Sequence, residues 1–196
     1  MRTAEFDRTF VLRQAMMTFM QFGYAKTSMQ KLTEATGLHP GSIYCAFKNK
    51  KGLLLASIEQ YQIDKREKMQ LHFEQFTSIK EGLKAFLSTI VFDCTQEECT
   101  KVCLLTKTLS ELDGQDDEVS SILSKNMHQF EESITALIEK AVELGELPET
   151  TNVTAKSRFL TMGIHGLRTY AYTNPNVECL SELADQLVGY VFQTPC

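Results

Sequence analysis

The chain has 196 residues, with 20 Lys+Arg against 25 Asp+Glu for a formal charge of −5, and it is 43% hydrophobic and 23% charged. This composition excludes a disordered or low-complexity chain, and the length suits one large domain or two small ones. No apolar run approaches the ~20 residues of a membrane span, and Met1-Arg2 leads to Glu5 and Asp7 rather than to a secretory pattern, so a cytoplasmic location is expected.

Periodicity is helical almost throughout. Phe6, Phe10, Ala15, Phe19 and Phe22 predict a first helix, with Asp7 near its start and Gly23 just past its end. Thr27-Ser28 offers hydroxyl caps to a short second helix through Met29, Leu32 and Ala35, closed by Gly37. Pro40 suits the first position of a short third helix, in which Ile43, Ala46 and Phe47 are expected to face inward. Asn49 caps a fourth helix, running through Leu53, Leu54, Ile58 and Tyr61 towards His72.

Longer helices follow over 79–93, 99–112, about 116–144, 153–172 and 177–193, with Gly145 and Pro148 ending the third of these. The expectation is an all-α protein of about nine helices, with no repeat and no long flexible linker. A three-helix N-terminal domain over residues 1–50 precedes a helical bundle over 51–196.

Charge divides along the same line. Residues 1–60 hold eight basic and four acidic side chains, a net +4, leaving −9 for the rest. Such asymmetry suggests an anion-binding module joined to an acidic one. Helices two and three, with Ala35-Thr36-Gly37-Leu38 between them, have the form of a helix-turn-helix. Gly41 and Ser42 allow close approach to a duplex and offer backbone N–H groups to phosphate, while Ser42, Tyr44, Cys45 and Lys48 point outward. Lys50 and Lys51 stand where a flanking phosphate would be clamped.

Phe22-Gly23-Tyr24-Ala25-Lys26-Thr27-Ser28, Gly37-Leu38-His39-Pro40-Gly41-Ser42-Ile43-Tyr44 and Phe47-Lys48-Asn49-Lys50-Lys51-Gly52-Leu53-Leu54 together resemble the TetR-type transcriptional regulators. The match in spacing and order covers about residues 5–60; beyond it only the architecture is similar. The resemblance implies a homodimer on near-palindromic double-stranded operator DNA, usually a repressor released by a ligand. It implies phosphate contacts from Thr27 or Ser28, Tyr44 and Lys50, and groove contacts from His39, Pro40, Gly41, Ser42 and Cys45. Cys45, Ala46 and Pro40 depart from the common pattern, where histidine and lysine are frequent, which leaves the operator sequence open.

Two apolar faces on each of the last two helices suggest a four-helix subunit interface, with ordinary monomer core as the competing reading. Phe159, Gly163, Gly166, Leu180, Leu183, Leu187 and Val191 are its candidates. An effector pocket, mostly apolar and suited to a hydrophobic or aromatic molecule, is expected from Phe86, Phe92, Leu105, Met127, Phe130, Met162, His165 and Tyr170. Among the six cysteines, Cys94, Cys99 and Cys103 cluster, and no Cys-x-x-C or nearby histidine completes a metal set. Cys103-Leu104-Leu105 before Ser110-Glu111-Leu112 is similar to a TetR subgroup that includes oxidant and electrophile sensors. Lys107, one turn on, would lower the Cys103 thiol pKa if the two face each other; a buried small hydrophobe is the alternative.

No metal, cofactor or catalytic motif is expected: none of His39, His72, His128 and His165 has a carboxylate three residues before it, and no phosphate-binding glycine loop occurs. Two further readings stay open, a ligand-independent regulator or activator and a helical scaffold that does not bind DNA.

Overall fold

The computed structural model describes residues 6–95 and 117–193, which form eight helices and no strand. These are α1 (Arg8–Phe22), α2 (Met29–Thr36), α3 (Pro40–Phe47), α4 (Lys50–Phe73), α5 (Ile79–Thr95), α6 (Asp117–Glu143), α7 (Val153–Thr173) and α8 (Val177–Phe192). The helix expected over 99–112, with Cys99, Cys103, Leu105 and Lys107, lies outside the described residues.

Two compact units divide the described chain, residues 6–67 with 117–124 and residues 68–95 with 125–193. Packing thus carries the first unit past residue 50, because Leu53, Leu54, Ile58 and Tyr61 of α4 are all buried. Arg13 of α1 also grips Asp64 of α4 with two parallel bonds, Nε to Oδ2 and Nη2 to Oδ1, each 2.8 Å. The guanidinium, helped by the Gln60 amide, holds the Asp64 carboxyl below its ordinary range.

In the first unit, α1 packs on α2 and α2 on α3. Asp7 caps α1 by accepting from the Phe10 N–H, and Gly23 ends it at φ 78°. The buried face of α1 is Val11, Leu12, Ala15, Thr18 and Phe19, whereas Phe10 is half exposed. The expected stripe through Phe6, Phe10 and Phe22 is therefore wrong at its ends. Val11, Ala15, Thr18 and Phe19 follow the 3.6-residue repeat, and the aromatic rings lie on its edge.

The second unit is a bundle in which α5 packs on α7 and α8, and α7 on α8. Leu83, Leu87, Ile90, Ile134, Ile138, Leu160, Ile164, Leu180 and Val188 belong to its core. Glu146, in the turn after α6, closes one end: its carboxylate accepts from the backbone N–H groups of Ile79 and Lys80 and from the Ser78 hydroxyl. That places negative charge on the otherwise unsatisfied N-terminus of α5. Lys156 does the converse for α8, donating to the carbonyls of Tyr190, Val191 and Gln193.

Candidate nucleic-acid interface

Local chemistry sets the geometry of α2 and α3. Ser28 Oγ accepts from the Lys31 N–H, starting α2, and Gly37 at φ 69° ends it in the left-handed conformation that glycine adopts freely. Only three residues then separate the helices, and Pro40 opens α3 with its fixed φ. Ile43 and Phe47, one turn apart, are buried and orient α3. Gly41, Tyr44, Cys45, Ala46 and Lys48 are exposed on its other sides, with Ser42 between. Ala46 is thus a correction: it lies ~80° from the centre of the face that Ile43 and Phe47 define, too far round for so short a helix to bury it.

The first turn of α3 offers phosphate less than expected. The Gly41 N–H donates to His39 Nδ1 at 3.2 Å, and the Ser42 and Ile43 N–H groups both donate to the His39 carbonyl. Pro40 has no N–H, so the donors of the turn are engaged within the chain. That bond uses Nδ1 of His39 as acceptor, which leaves the exposed Nε2 edge of the ring to meet a base or phosphate oxygen.

Three side chains expected at phosphate have partners within the chain. Thr27 is buried, and its hydroxyl donates to the Gly23 carbonyl. Lys50 turns its ammonium onto the carbonyls of Tyr24 and Thr27, at 2.9 and 3.1 Å, and over the Tyr24 ring. Lys51 pairs with Glu118 at 2.7 Å. Arg8 and Lys31 lie over the rings of Phe47 and Phe22. Lys26 and Lys48 stand exposed at the two ends of the helix-turn-helix. Sequence reasoning passed over Lys26, although its place one residue before the Thr27-Ser28 caps marks it as a flank of α2. Lys48 ends α3 at φ 69°, the only positive φ outside glycine among the described residues.

In the second unit the candidate residues separate into two groups. Phe92, Met162 and Tyr170, expected in a pocket, are exposed, at 62%, 64% and 44%. Met162 and Tyr170 instead share the outer face of α7 with Phe159 and Gly166, and this face continues through Leu183, Leu187 and Tyr190 of α8. The Phe159 and Tyr190 rings lie 4.0 Å apart and join the two helices. Leu180 and Val191, expected at the subunit surface, are fully buried in the core of their own chain. An apolar helix gives no sequence signal for which arc its own core claims. Gly163 serves that packing too, since a Cβ there would meet Leu187 Cδ2 at 2.3 Å.

Phe86, Met127, Phe130 and His165 are half-buried. Phe86 stacks among His72 and Phe73, whereas Phe130 meets the His165 ring edge-on at 5.5 Å. Both ring nitrogens of His165 are buried without a hydrogen-bond partner among the described residues, as are Thr161 Oγ1 and Asn126 Nδ2. Each such group costs about 1–3 kcal/mol of unrecovered desolvation. Burial, aided by the Arg168 charge, pushes the His165 pKa below its ordinary value, so the ring is neutral at pH 7. Asn126 was missed in the sequence, although it interrupts the apolar stripe of Val119, Leu123, Phe130 and Ile134. Cys103, Leu105 and Lys107 lie outside the described residues.

This architecture has known counterparts. The family model for bacterial regulatory proteins of the tetR family matches residues 11–57, and a tetracyclin repressor-like C-terminal domain matches residues 80–183. The HTH-type transcriptional repressor ComR of Escherichia coli (strain K12) is 28% identical over 93% of this chain and 88% of its own length. An uncharacterized HTH-type regulator of Bacillus subtilis (strain 168), YezE, is 26% identical, covering 94% and 95%. A cysteine-substituted form of the TetR family regulator CifR, solved with 26-bp double-strand operator DNA, superposes with a TM-score of 0.82 at 25% identity, covering 96% of this chain and 98% of that one. None of the described helices is long and apolar enough to cross a membrane. With the helix-turn-helix and the C-terminal bundle both matched, the chain belongs to the TetR family of DNA-binding transcriptional regulators.

Proposed function

We propose that the chain is a cytoplasmic homodimeric repressor, released from a near-palindromic operator by a small molecule or a thiol-reactive signal. The observation that carries this reading is the pairing of an exposed α3 with a contiguous apolar face on α7 and α8. A helix presenting Gly41, Ser42, Tyr44 and Cys45 suits one major groove, and a two-fold axis supplies a second copy for the next groove. Ser28, His39, Pro40 and Lys48 flank the same surface, and Lys26 and Lys48 supply its phosphate-facing charge. The Phe159, Met162, Gly166 and Tyr170 face, with Leu183 and Leu187, fits a self-complementary interface of two helices per subunit. ComR, named a repressor, supports the direction of control, and CifR, held on operator DNA, supports the DNA target.

Release follows as a shift of population: an effector that binds better to a conformation whose two α3 helices no longer match successive grooves draws the protein off its operator. α4, shared by the two compact units, is the element that carries the change. The thiol branch assigns the chemistry to Cys103.

Selection of bound sequences from a random duplex pool, repeated with and without a mild oxidant, tests these claims together. Enriched inverted half-sites about one helical turn apart support the dimer. Enrichment lost under oxidant, and retained in Cys103→Ser, supports the thiol branch. Recovery of single half-sites refutes the dimer on DNA, and no enrichment at low salt favours a scaffold that has abandoned DNA.

A further inference from the structure

We propose that the Arg13–Asp64 pair is a positioning device for DNA recognition: by bracing α1 against α4 it holds α3 at a fixed angle to the α4 axis, and so sets the spacing between operator half-sites that the dimer accepts. The inference rests on the homodimer reading above and names residues that decide specificity without touching DNA.

α4 is common to both compact units, and its side chains show where it passes from one to the other. Tyr61 is its last buried residue in the first unit and Met69 its first in the second, while none of residues 62–68 is buried. A stretch of helix without buried side chains has no packing to fix its direction against its neighbours. Asp64 lies in that stretch and is held from two helices. Arg13 of α1 donates to both carboxylate oxygens at 2.8 Å, and Gln60, one turn back on α4, donates to Oδ1 at 2.9 Å. Two parallel bonds from a planar fork restrain rotation as well as distance, which a single contact does not. The start of α1 is tied to the recognition helix. The Arg8 guanidinium lies 5.0 Å from the centre of the Phe47 ring, and the Phe6 ring stands 6.3 Å from the same centre. α1 therefore links the end of α3 to the exposed stretch of α4.

The surroundings of Arg13 separate this role from two others. Besides Asp64, the carboxylates of Glu67 and Asp7 act on its guanidinium, and a cation among three acids is poorly placed to take a phosphate. The side chains of Arg13 and Asp64 are 50% and 23% exposed, so screening by water keeps the contribution of the pair to stability small. What such a fork supplies is direction. Each base pair added between half-sites moves one of them ~3.4 Å along the duplex and turns it by ~35°. A dimer whose two α3 helices are held firmly accepts one spacing, and a dimer whose α3 helices can tilt accepts its neighbours as well.

The test uses the full chain with Arg13→Met, Asp64→Asn, the two together, and Arg13→Lys, which keeps the charge without the fork. The parent protein selects half-sites and their spacing from a random duplex pool. Anisotropy titrations then compare the selected duplex with duplexes one base pair longer or shorter between the half-sites. The parent should favour its selected spacing by about tenfold or more, and each single variant by about threefold or less. The double variant should be no more permissive than either single one, because the two side chains act as one unit. Melting temperatures should fall by about 4 °C or less, and the slope of log affinity against log salt should match that of the parent. Single variants as strict as the parent overturn the proposal, as does a double variant whose losses add. A lower salt slope in Arg13→Met also overturns it, by giving Arg13 a phosphate. A strict parent with strict variants refutes the brace alone, whereas a parent that selects single half-sites refutes the dimer and the spacing role together.

Discussion

Adding one methyl group at Gly41 separates what α3 needs for folding from what it needs for DNA. A Cβ built there comes within 3.4 Å of His39 Nδ1 and 4.0 Å of Cε1 and meets nothing else, so the folded chain accepts it. Replacing glycine by alanine in a helix gains up to about 1 kcal/mol, and in a first turn the lower half of that range applies. The melting temperature of Gly41→Ala should therefore hold or rise by about 1–2 °C. DNA binding should respond in the opposite sense. The N–H groups of this turn are engaged with His39, so Gly41 serves the duplex through close approach of bare backbone. A methyl that holds the helix off the groove forfeits about one base contact per half-site, about 1–3 kcal/mol, or roughly 5–150-fold in affinity. Gly52→Ala is the contrasting case, because its Cβ would lie 2.0 Å from the Phe47 carbonyl oxygen, a backbone atom that cannot turn aside. That variant should lose about 1–3 kcal/mol or more of stability. Thermal melting together with anisotropy titration of a selected duplex at fixed salt reads both effects. Undiminished affinity in a well-folded Gly41→Ala would refute the assignment of the first turn of α3 to the groove.

Other perturbations probe the charges and faces the structure assigns. Lys48→Gly, which suits the backbone at φ 69°, should reduce the slope of log affinity against log salt by about 0.9 per subunit, and an unchanged slope denies Lys48 its phosphate. Lys50→Met should leave that slope alone and lower the melting temperature, since the carbonyls of Tyr24 and Thr27 lose their donor; a flattened slope would return Lys50 to the DNA. His165, with a folded pKa below 6.5, takes up its proton more readily when unfolded, so stability should fall as pH drops through 6.5 towards the folded value and be unaffected above it. In His165→Phe that portion of the acid slope should vanish from denaturant titrations at stepped pH, and its persistence would assign it elsewhere. Met162→Asp, at a side chain 64% exposed, should leave the monomer fold intact and shift sedimentation towards monomer, whereas an unchanged distribution excludes the α7 and α8 face from the interface.

Residues that act on their own neighbours are legible in a sequence, and residues whose role depends on a distant surface are not. Asp7, Ser28, Gly37 and Gly145 mark helix ends because a cap bonds to backbone three or four residues away, and Pro40 marks one because its fixed φ and missing N–H suit a first turn; the structure places each of them so. Ile43 and Phe47 are readable for the same reason, being one turn apart. Lys50 is the opposite case. Its place in the family pattern suggests phosphate, but its ammonium meets carbonyls 23 and 26 residues earlier, a contact that no local pattern encodes. Leu180 and Leu183 differ in fate for a like reason: both lie on one broad apolar arc of α8, and only the position of α5 and α7 decides that Leu180 enters the core while Leu183 stays at its edge. The charge of the first 60 residues shows the same division. Its sign is readable by counting, but its disposition is not, for Arg13, Lys50 and Lys51 are engaged within the chain while Lys26 and Lys48 face outward. Asn126 lies between these cases. A polar side chain between Leu123 and Phe130 on a buried stripe is a local anomaly, and local anomalies are where a sequence departs from what folding alone demands. The fold buries that amide at 8% exposure with its Nδ2 unpaired among the described residues, a cost of about 1–3 kcal/mol that packing alone does not repay.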